Sequence, residues 1–444
     1  MIFKRKLYTQ MLAWKNSRQG KSALLIKGAR RVGKSTLVEQ FAKNEYKSYV
    51  LIDFSSTSKR VDALFEDMMD LNFFFLTLKN IFKVQLFERL SVIIFDEVQF
   101  QPLARQAIKH LVKDGRYDYI ETGSLISIKK NVQNILIPSE ETSMTLHPMD
   151  FDEFLWATGD EITPQQIREA YSMGRSMGDA VHRQWMRSLR LYMLVGGMPQ
   201  AVAAYLQYND LQEVDNAKRE ILELYENDFR KIDSTGRSSK LFTAIPSQLN
   251  SNASRYKVSE VIENQTVNRV AEIVADMEDS QTIVMAYHVN NPDVEMGMFK
   301  DFSRYKMFFA DTGLFVTLAF KNKSYTENVI YQKLLTDKLD SNLGYVYENF
   351  VAQLLHTAGH ELYYHTFPSE NGNYNYEIDF LLTKGNKLVP MEVKSSGYKT
   401  HKSLDVFCQK YASKIGDRIL LYTKDFQKDQ TIKYLPIYFA PLIV

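Results

Sequence analysis

"KGARRVGKSTL", residues 27–37, decides how the first part of the chain is read. It fits the spacing G-x-x-x-x-G-K-[ST]. "SALLIK" before it has the texture of a buried strand, and "STLVEQFAKN" after it has that of a helix. That context is what a phosphate-binding loop requires. Gly28 and Gly33 let the backbone turn tightly and aim its N–H groups at phosphate oxygens, and the helix N-terminus adds the positive end of a dipole. The backbone from Gly28 through Arg31, Val32 and Gly33 to Thr36 is expected to hold ATP. Lys34 is expected to reach the β- and γ-phosphates, and Ser35 to ligate Mg²⁺.

A partner for this loop lies downstream. "LSVIIFDEVQ" is a continuous apolar run ending in Asp96-Glu97, as expected of a parallel strand buried on both faces. Asp96 is expected to hold the Mg²⁺ water shell, and Glu97 to polarise the attacking water as catalytic base. "YDYIETGS" ends near Thr122, placed to sense the γ-phosphate from between the two motifs; a hydroxyl satisfying a local turn is the plainer reading. An arginine finger, if used, is expected from a neighbouring subunit of a homo-oligomer. Arg105 and Arg116 are candidates, while Arg30 and Arg31 inside the loop serve to shield charge.

Working outward, strands alternating with amphipathic helices predict a parallel α/β domain over residues 1–150. Residues 151–235 read as a helical lid region. Residues 236–325 read as a winged-helix domain, with a helix over "TVNRVAEIVADMED" capped by Thr266 and a wing hairpin made of "TIVMAYHV" and "RYKMFFAD". Residues 326–444 form a last α/β region. The chain has 444 residues, 45% hydrophobic and 24% charged, enough for several cores. Its net charge of +2 gives no support to a strongly basic nucleic-acid coat but excludes nothing, since charge can be local. The single cysteine, Cys408, excludes an intramolecular disulfide and suits a reducing compartment. The basic N-terminus lacks the apolar run of a signal peptide, and no stretch is apolar enough to span a bilayer. A cytoplasmic protein with no membrane partner is expected.

The last region poses a different problem. "YEIDFLLTKGNKLVPMEVKSS", residues 376–396, reads as two apolar strands around a turn at Lys384-Gly385-Asn386, yet it carries Asp379, Glu392 and Lys394. Residues two apart in a strand share a face, so Glu392 and Lys394 point together and Asp379 of the preceding strand can meet them. Converging carboxylates repel unless a cation sits between them, and Mg²⁺ takes such oxygen ligands. Glu348, at the edge of the apolar stripe of "GYVYENFVAQLL", is a further candidate ligand. The expected metal set is Glu348, Asp379 and Glu392, with Glu392 and Lys394 acting at the reacting phosphate. The bland alternative is a structural salt-bridge cluster.

The order helix-Glu, strand-Asp, strand-Glu-x-Lys resembles the PD-(D/E)xK nuclease superfamily, the restriction-endonuclease-like fold. Ile378 stands where that family's usual proline precedes the Asp. Gln409 and Lys410 fall where some members add a further active-site residue. The whole chain resembles a prokaryotic family with an AAA-type P-loop ATPase domain, a winged-helix region and a C-terminal nuclease-like domain. The matching stretches are "KGARRVGKSTL", "IIFDEVQ", "ETGS", "LHPMDFDEFL", "LVGGMPQAV", "FFADTGL", "GYVYENFVAQLL" and "EIDFLL…MEVKSS". The resemblance implies an ATPase coupled to a Mg²⁺-dependent, or Mn²⁺-dependent, nuclease acting on DNA. The rival is an ATP-dependent switch whose last domain only docks protein or nucleic acid. Two weaker signals complete the reading. Asn268 and Arg269 are candidates for a DNA groove, and His356 and His360 read as a surface pair rather than half a zinc site.

Overall fold

The structure is a computed structural model that describes residues 1–443 except 67, 69, 125–138, 252, 322, 323, 337–342, 370 and 430. The chain divides into two compact units, Met1–His147 with Asp279–Gln281, and Pro148–Glu278 with Thr282–Val444.

The first unit is built on five parallel strands: β1 (Ala23–Lys27), β2 (Ser48–Asp53), β3 (Ser91–Asp96), β4 (Asp118–Gly123) and β5 (Glu141–Thr145). Their order is β2-β3-β4-β1-β5. β4 is thus inserted between β1 and β3, and this places Thr122 between the loop that follows β1 and the Asp96 that ends β3. β3 and β4 are buried along their whole length, which explains the apolar run Val92–Phe95 of β3, whereas β4 buries Asp118, Glu121 and Thr122 among its apolar residues. Phe54, Phe65, Phe74 and Phe95 pack edge-to-face or tilted beside them, with Phe65 and Phe95 centroids 5.5 Å apart. The helix Leu71–Phe82 supplies Phe74, Phe75 and Leu78 to this core but leaves Phe73 and Leu76 exposed.

The second unit holds an eight-stranded mixed sheet. Its strands are β6 (Ile283–Val289), β7 (Lys300–Phe309), β8 (Leu362–Pro368), β9 (Asn375–Lys384), β10 (Lys387–Lys394), β11 (Ile419–Tyr422), β12 (Gln427–Lys428) and β13 (Lys433–Pro436). The order is β12-β13-β11-β10-β9-β8-β6-β7. The hairpin expected as a wing is therefore one side of the same sheet as the last region. Ala286–His288 pairs in parallel with Leu362–Tyr364, so the boundary expected near 325 falls inside one unit. The physical reason was visible in "TIVMAYHV". All seven residues of β6 are buried, whereas a wing facing solvent alternates polar with apolar. The helix expected from Thr266 begins as a 3-10 turn, Val267–Val270, and becomes α-helical at Ala271–Asp279, without a side-chain cap from Thr266.

The helices of this unit meet at a polar hub made by "VGGMPQ" and "FFADTGL". Asp311 caps the helix Thr312–Leu318 through Leu314 N (2.8 Å) and accepts from Gly197 N (2.6 Å). The buried Lys218 ammonium donates to the Leu194 and Gly313 carbonyls. Gly197 leaves no room for a side chain, since a Cβ would stand 2.0 Å from the Met149 carbonyl oxygen. Gly197→Ala is expected to destabilise this unit by about 1–3 kcal/mol, as overpacking against backbone does. Urea melts of the two proteins would show it as a lower midpoint with an unchanged slope.

A second expectation concerns acid. His288 of β6 and His365 of β8 are buried and stack 5.4 Å apart. Burial, then the Arg304 charge, pushes the His288 imidazole down to about 4. Burial likewise takes His365 down to about 4, against the Val289 carbonyl that accepts from it. Both folded-state values lie below the ordinary 6.5, so the unfolded chain binds more protons between them. Their contribution to stability is full above about pH 6.5 and is lost as the pH falls toward 4. Melting temperatures across that window should fall, with a shallower fall in His365→Gln.

Candidate functional site

The first site lies at the C-terminal ends of β1, β3 and β4. Gly33, at φ 94°, caps the helix Lys34–Glu45 in a conformation that suits glycine. At Gly28 a Cβ would meet the Leu146 carbonyl oxygen at 2.3 Å, so the loop passes against backbone there. The Lys34 ammonium folds onto the loop itself, donating to the Gly28 and Ala29 carbonyls at 2.9 and 3.0 Å. Burial lowers its pKa, and the charges of Glu97 and Asp96 oppose that shift. Ser35 Oγ donates to Asp96 Oδ1 at 2.9 Å. Thr122 Oγ1 donates to the same Asp96 oxygen and accepts from Glu97 N at 3.1 Å. Ser35, Asp96 and Thr122 therefore present oxygens to one small region, the donor set that Mg²⁺ takes. Val32 is buried under the loop, Arg31 (φ 67°) and Thr36 are exposed, and Glu97 (φ 54°) bends the chain after β3.

Two things differ from the expectation. Arg105 does not reach outward: it is buried, with Nη1 3.1 Å from Glu121 and 3.0 Å from Glu141. Glu121, fully buried on β4, needs that cation, because burial raises its pKa and Arg105 offsets the rise. Arg116 pairs with Asp114 at 2.8 Å and lies over the Phe75 ring. Arg5 was not foreseen. It donates to the Val32 carbonyl at 2.9 Å and to the His147 carbonyl at 2.6 Å, tying the N-terminal segment to the loop. Nothing in the sequence around it signals that role.

The second site lies on the sheet of the second unit. Glu348 comes from the helix Gly344–Thr357, Asp379 from β9, and Glu392 and Lys394 from β10. Among the described residues one group of three acidic side chains has ligand oxygens all within 4.8 Å of one another: Glu348, Glu377 and Asp379. Asp379 also accepts from Val393 N at 2.8 Å, which aims it across the hairpin. Burial raises the Asp379 pKa well above the carboxylate range, and the charges of Glu348, Glu392 and Glu377 add to this while Lys306 opposes it. Glu392 is buried; Lys394 Nζ lies 2.6 Å from its Oε1, and its Oε2 has no protein partner among the described residues. That orphaned oxygen and the three clustered carboxylates are donors of the kind a divalent cation takes, although Lys306 and Lys394 already pair with Glu348, Glu377 and Glu392.

Sequence reasoning missed two members of this cluster. Glu377 is two residues before Asp379 and shares its face of β9, a period-2 signal present in "EID". Lys306 comes from β7, where a lysine stands between Tyr305 and the apolar run "MFF". Its ammonium bonds Glu348 Oε1 at 2.7 Å and also Glu377 Oε1. Burial opposes its charge, but Glu348, Glu377 and Asp379 outweigh that and hold its pKa well above the ordinary lysine value.

Beyond Lys394 the strand opens into a cavity of about 590 Å³, whose lining includes Ser395, Ser396, Tyr398, Arg183, Arg190 and Lys424. Elsewhere, Gln409 is exposed and Lys410 lies over the Phe367 ring. Arg269 donates to the Asn264 carbonyl beside the exposed Asn268. His356 and His360 are both half-buried, and burial pushes His356 down to about 4.

Residues 20–155 match the family model of an AAA domain. The first unit is an AAA-type P-loop ATPase domain. Residues 186–325 and 343–440 match two further families, each described as a domain of unknown function. Solved structures similar to this chain include Aeropyrum pernix ORC1 in complex with DNA, at 13% identity. That match covers 77% of this chain and 95% of that one, with a TM-score of 0.29. The Thermotoga maritima RuvB Holliday junction branch migration motor matches at 12% identity, covering 64% and 89%, TM-score 0.28. Cdc6p from Pyrobaculum aerophilum matches at 9% identity, covering 76% and 94%, TM-score 0.24. No curated protein matches the chain. Among the described residues no helix is long and apolar enough to cross a membrane.

Proposed function

We propose that the chain is an ATP-hydrolysing enzyme whose nucleotide state controls a metal-dependent, nuclease-like site acting on DNA. In the first unit, the loop from Gly28 to Thr36 binds the phosphates of ATP, Lys34 turns from its loop carbonyls onto the β- and γ-phosphates, and Ser35 with Asp96 holds Mg²⁺. Glu97 orients the attacking water, and Thr122 couples the position of Glu97 to that of Asp96 through its two hydrogen bonds. An arginine from a second copy of the chain would complete this site, because Arg105 is committed to Glu121 and Glu141.

The observation that carries the second half is the grouping of Glu348, Glu377 and Asp379 beside Glu392 and Lys394. Glu348, Asp379 and Glu392 would hold Mg²⁺ or Mn²⁺. Bound there, the ion supplies a Lewis acid at a phosphodiester oxygen. Lys394 stabilises the charge that builds on that phosphate, and Glu392 keeps the Lys394 ammonium in place. The cavity beyond Ser395 offers Arg183 and Lys424 to the backbone of the bound strand.

Purified protein incubated with supercoiled, linear and single-stranded DNA and Mg²⁺ or Mn²⁺ tests this half. Cleavage by the wild type that disappears in Asp379→Ala and Lys394→Ala is the expected result. Equal products from all three proteins would refute it. A second reading, a switch whose last region docks partners without catalysis, is favoured by one observation: Lys306 already neutralises part of the acidic cluster.

A further inference from the structure

We infer that Lys306, paired with Glu348 and Glu377, is a built-in cation that competes with a divalent metal ion for Glu348 beside Asp379, so that the ion enters only as Lys306 withdraws. This rests on the reading of Glu348, Asp379 and Glu392 as a metal site and adds a control to it. Three carboxylates with oxygens within 4.8 Å of one another repel strongly when little water reaches them, a repulsion that a proton or a cation among them relieves. The only basic group hydrogen-bonded to two of them, among the described residues, is Lys306, through Glu348 Oε1 at 2.7 Å and Glu377 Oε1. Its side chain is 5% exposed, so the ammonium lies within the cluster rather than at its rim. Lys394, by contrast, is 30% exposed and engages Glu392, leaving the three-carboxylate group to Lys306.

An ammonium is a singly charged donor with three N–H bonds. Mg²⁺ or Mn²⁺ brings twice the charge and requires oxygens at coordination distance. Glu348 cannot give the same oxygen fully to both. Entry of the ion adds two positive charges beside an existing one, so it costs less when Lys306 moves away.

The fold supplies a place for that movement. β7 lies at the edge of its sheet, where among the described residues its one strand neighbour is β6 and the Tyr305 carbonyl also accepts from Tyr256 N at 2.7 Å. Next to Lys306 the ladder is interrupted: Tyr287 pairs with Tyr305 but His288 pairs with Asp301, leaving Phe302, Ser303 and Arg304 outside the register. A bulged edge strand can change its local twist without breaking a two-sided ladder. Displacing Lys306 requires β7 to adjust there, including the Tyr305 carbonyl that Tyr256 N holds, while the ligand-bearing β9 and β10 stay paired on both sides.

Mn²⁺ titrated calorimetrically into the chelator-treated full-length protein, at one pH and salt, tests this. The proteins are wild type, Lys306→Met, Lys306→Met/Glu377→Gln and Asp379→Asn. The double variant removes one positive and one negative charge together, so the cluster keeps its balance even where Lys306→Met alone fails to fold. The expected result is Mn²⁺ binding about tenfold to a hundredfold tighter in the double variant than in the wild type, the range over which neighbouring groups tune metal affinity. Asp379→Asn should abolish it. Unchanged or weaker binding in the double variant, with wild-type binding that still depends on Asp379, overturns the competition and leaves the metal site standing. An absence of Mn²⁺ binding in all four proteins overturns both. Binding in the double variant but not in the wild type supports the inference in its strongest form, a lysine that excludes the ion.

Discussion

Glu97→Gln is expected to lower ATP turnover about 10²–10⁴-fold, the share that a positioned general base contributes. ATP should still bind. The substitution removes a charge but keeps the size of the side chain and the backbone N–H that Thr122 Oγ1 accepts, so the end of β3 stays in place. Lys34→Ala should behave differently. Its ammonium is held by two loop carbonyls before any phosphate arrives, and its loss removes the one buried cation of the loop. Binding itself should fail there. A fluorescent ATP analogue titrated into both variants, beside a phosphate-release assay, separates the two outcomes. If Glu97→Gln hydrolyses ATP at the wild-type rate, Glu97 is not the base.

Asp379→Asn should separate stability from function. The Asp379 carboxyl is raised by burial and by the carboxylates around it, so its charge is a cost to the folded state. Asparagine keeps an oxygen for Val393 N and removes that charge. Glu348 and Glu377 remain to pair with Lys306. The metal-free variant should be as stable as the wild type or more so, by up to about 2 kcal/mol, as relief of a buried charge allows. The rise in melting temperature that Mn²⁺ gives the wild type, a linkage effect, should disappear together with DNA cleavage. A metal-free variant several kilocalories less stable would mark Asp379 as structural.

The two candidate sites were unequally legible in the sequence. The loop at Gly28 and the strand ending in Asp96 combine local motifs with the periodicity of their own elements, so a short window sufficed. Glu392 and Lys394 share a face by simple alternation, and Asp379 is brought to them by a two-residue hairpin turn at Gly385-Asn386. Lys306 could not be reached that way. Its strand lies about seventy residues before β9, and the two are joined only through β6 and β8. Reading β6 and β7 as a free wing separated Lys306 from the carboxylates it meets. The predominantly apolar β6 argued against a wing, because a hairpin facing water does not bury seven consecutive residues. Arg105 misled for the opposite reason. Its partners Glu121 and Glu141 lie on two strands that flank β1, and no local pattern pairs them.

Nucleotide state is proposed to govern the second site. The most direct test is the initial rate of Mn²⁺-dependent cleavage of supercoiled DNA, measured without nucleotide, with ATP, and with a non-hydrolysable ATP analogue, for the wild type and Lys34→Ala. The wild-type rate should change with ATP and with the analogue, and the Lys34→Ala rate should ignore both. Cleavage lost in Asp379→Ala but identical in every nucleotide condition would contradict it, leaving an ATPase and a nuclease on one chain without a connection.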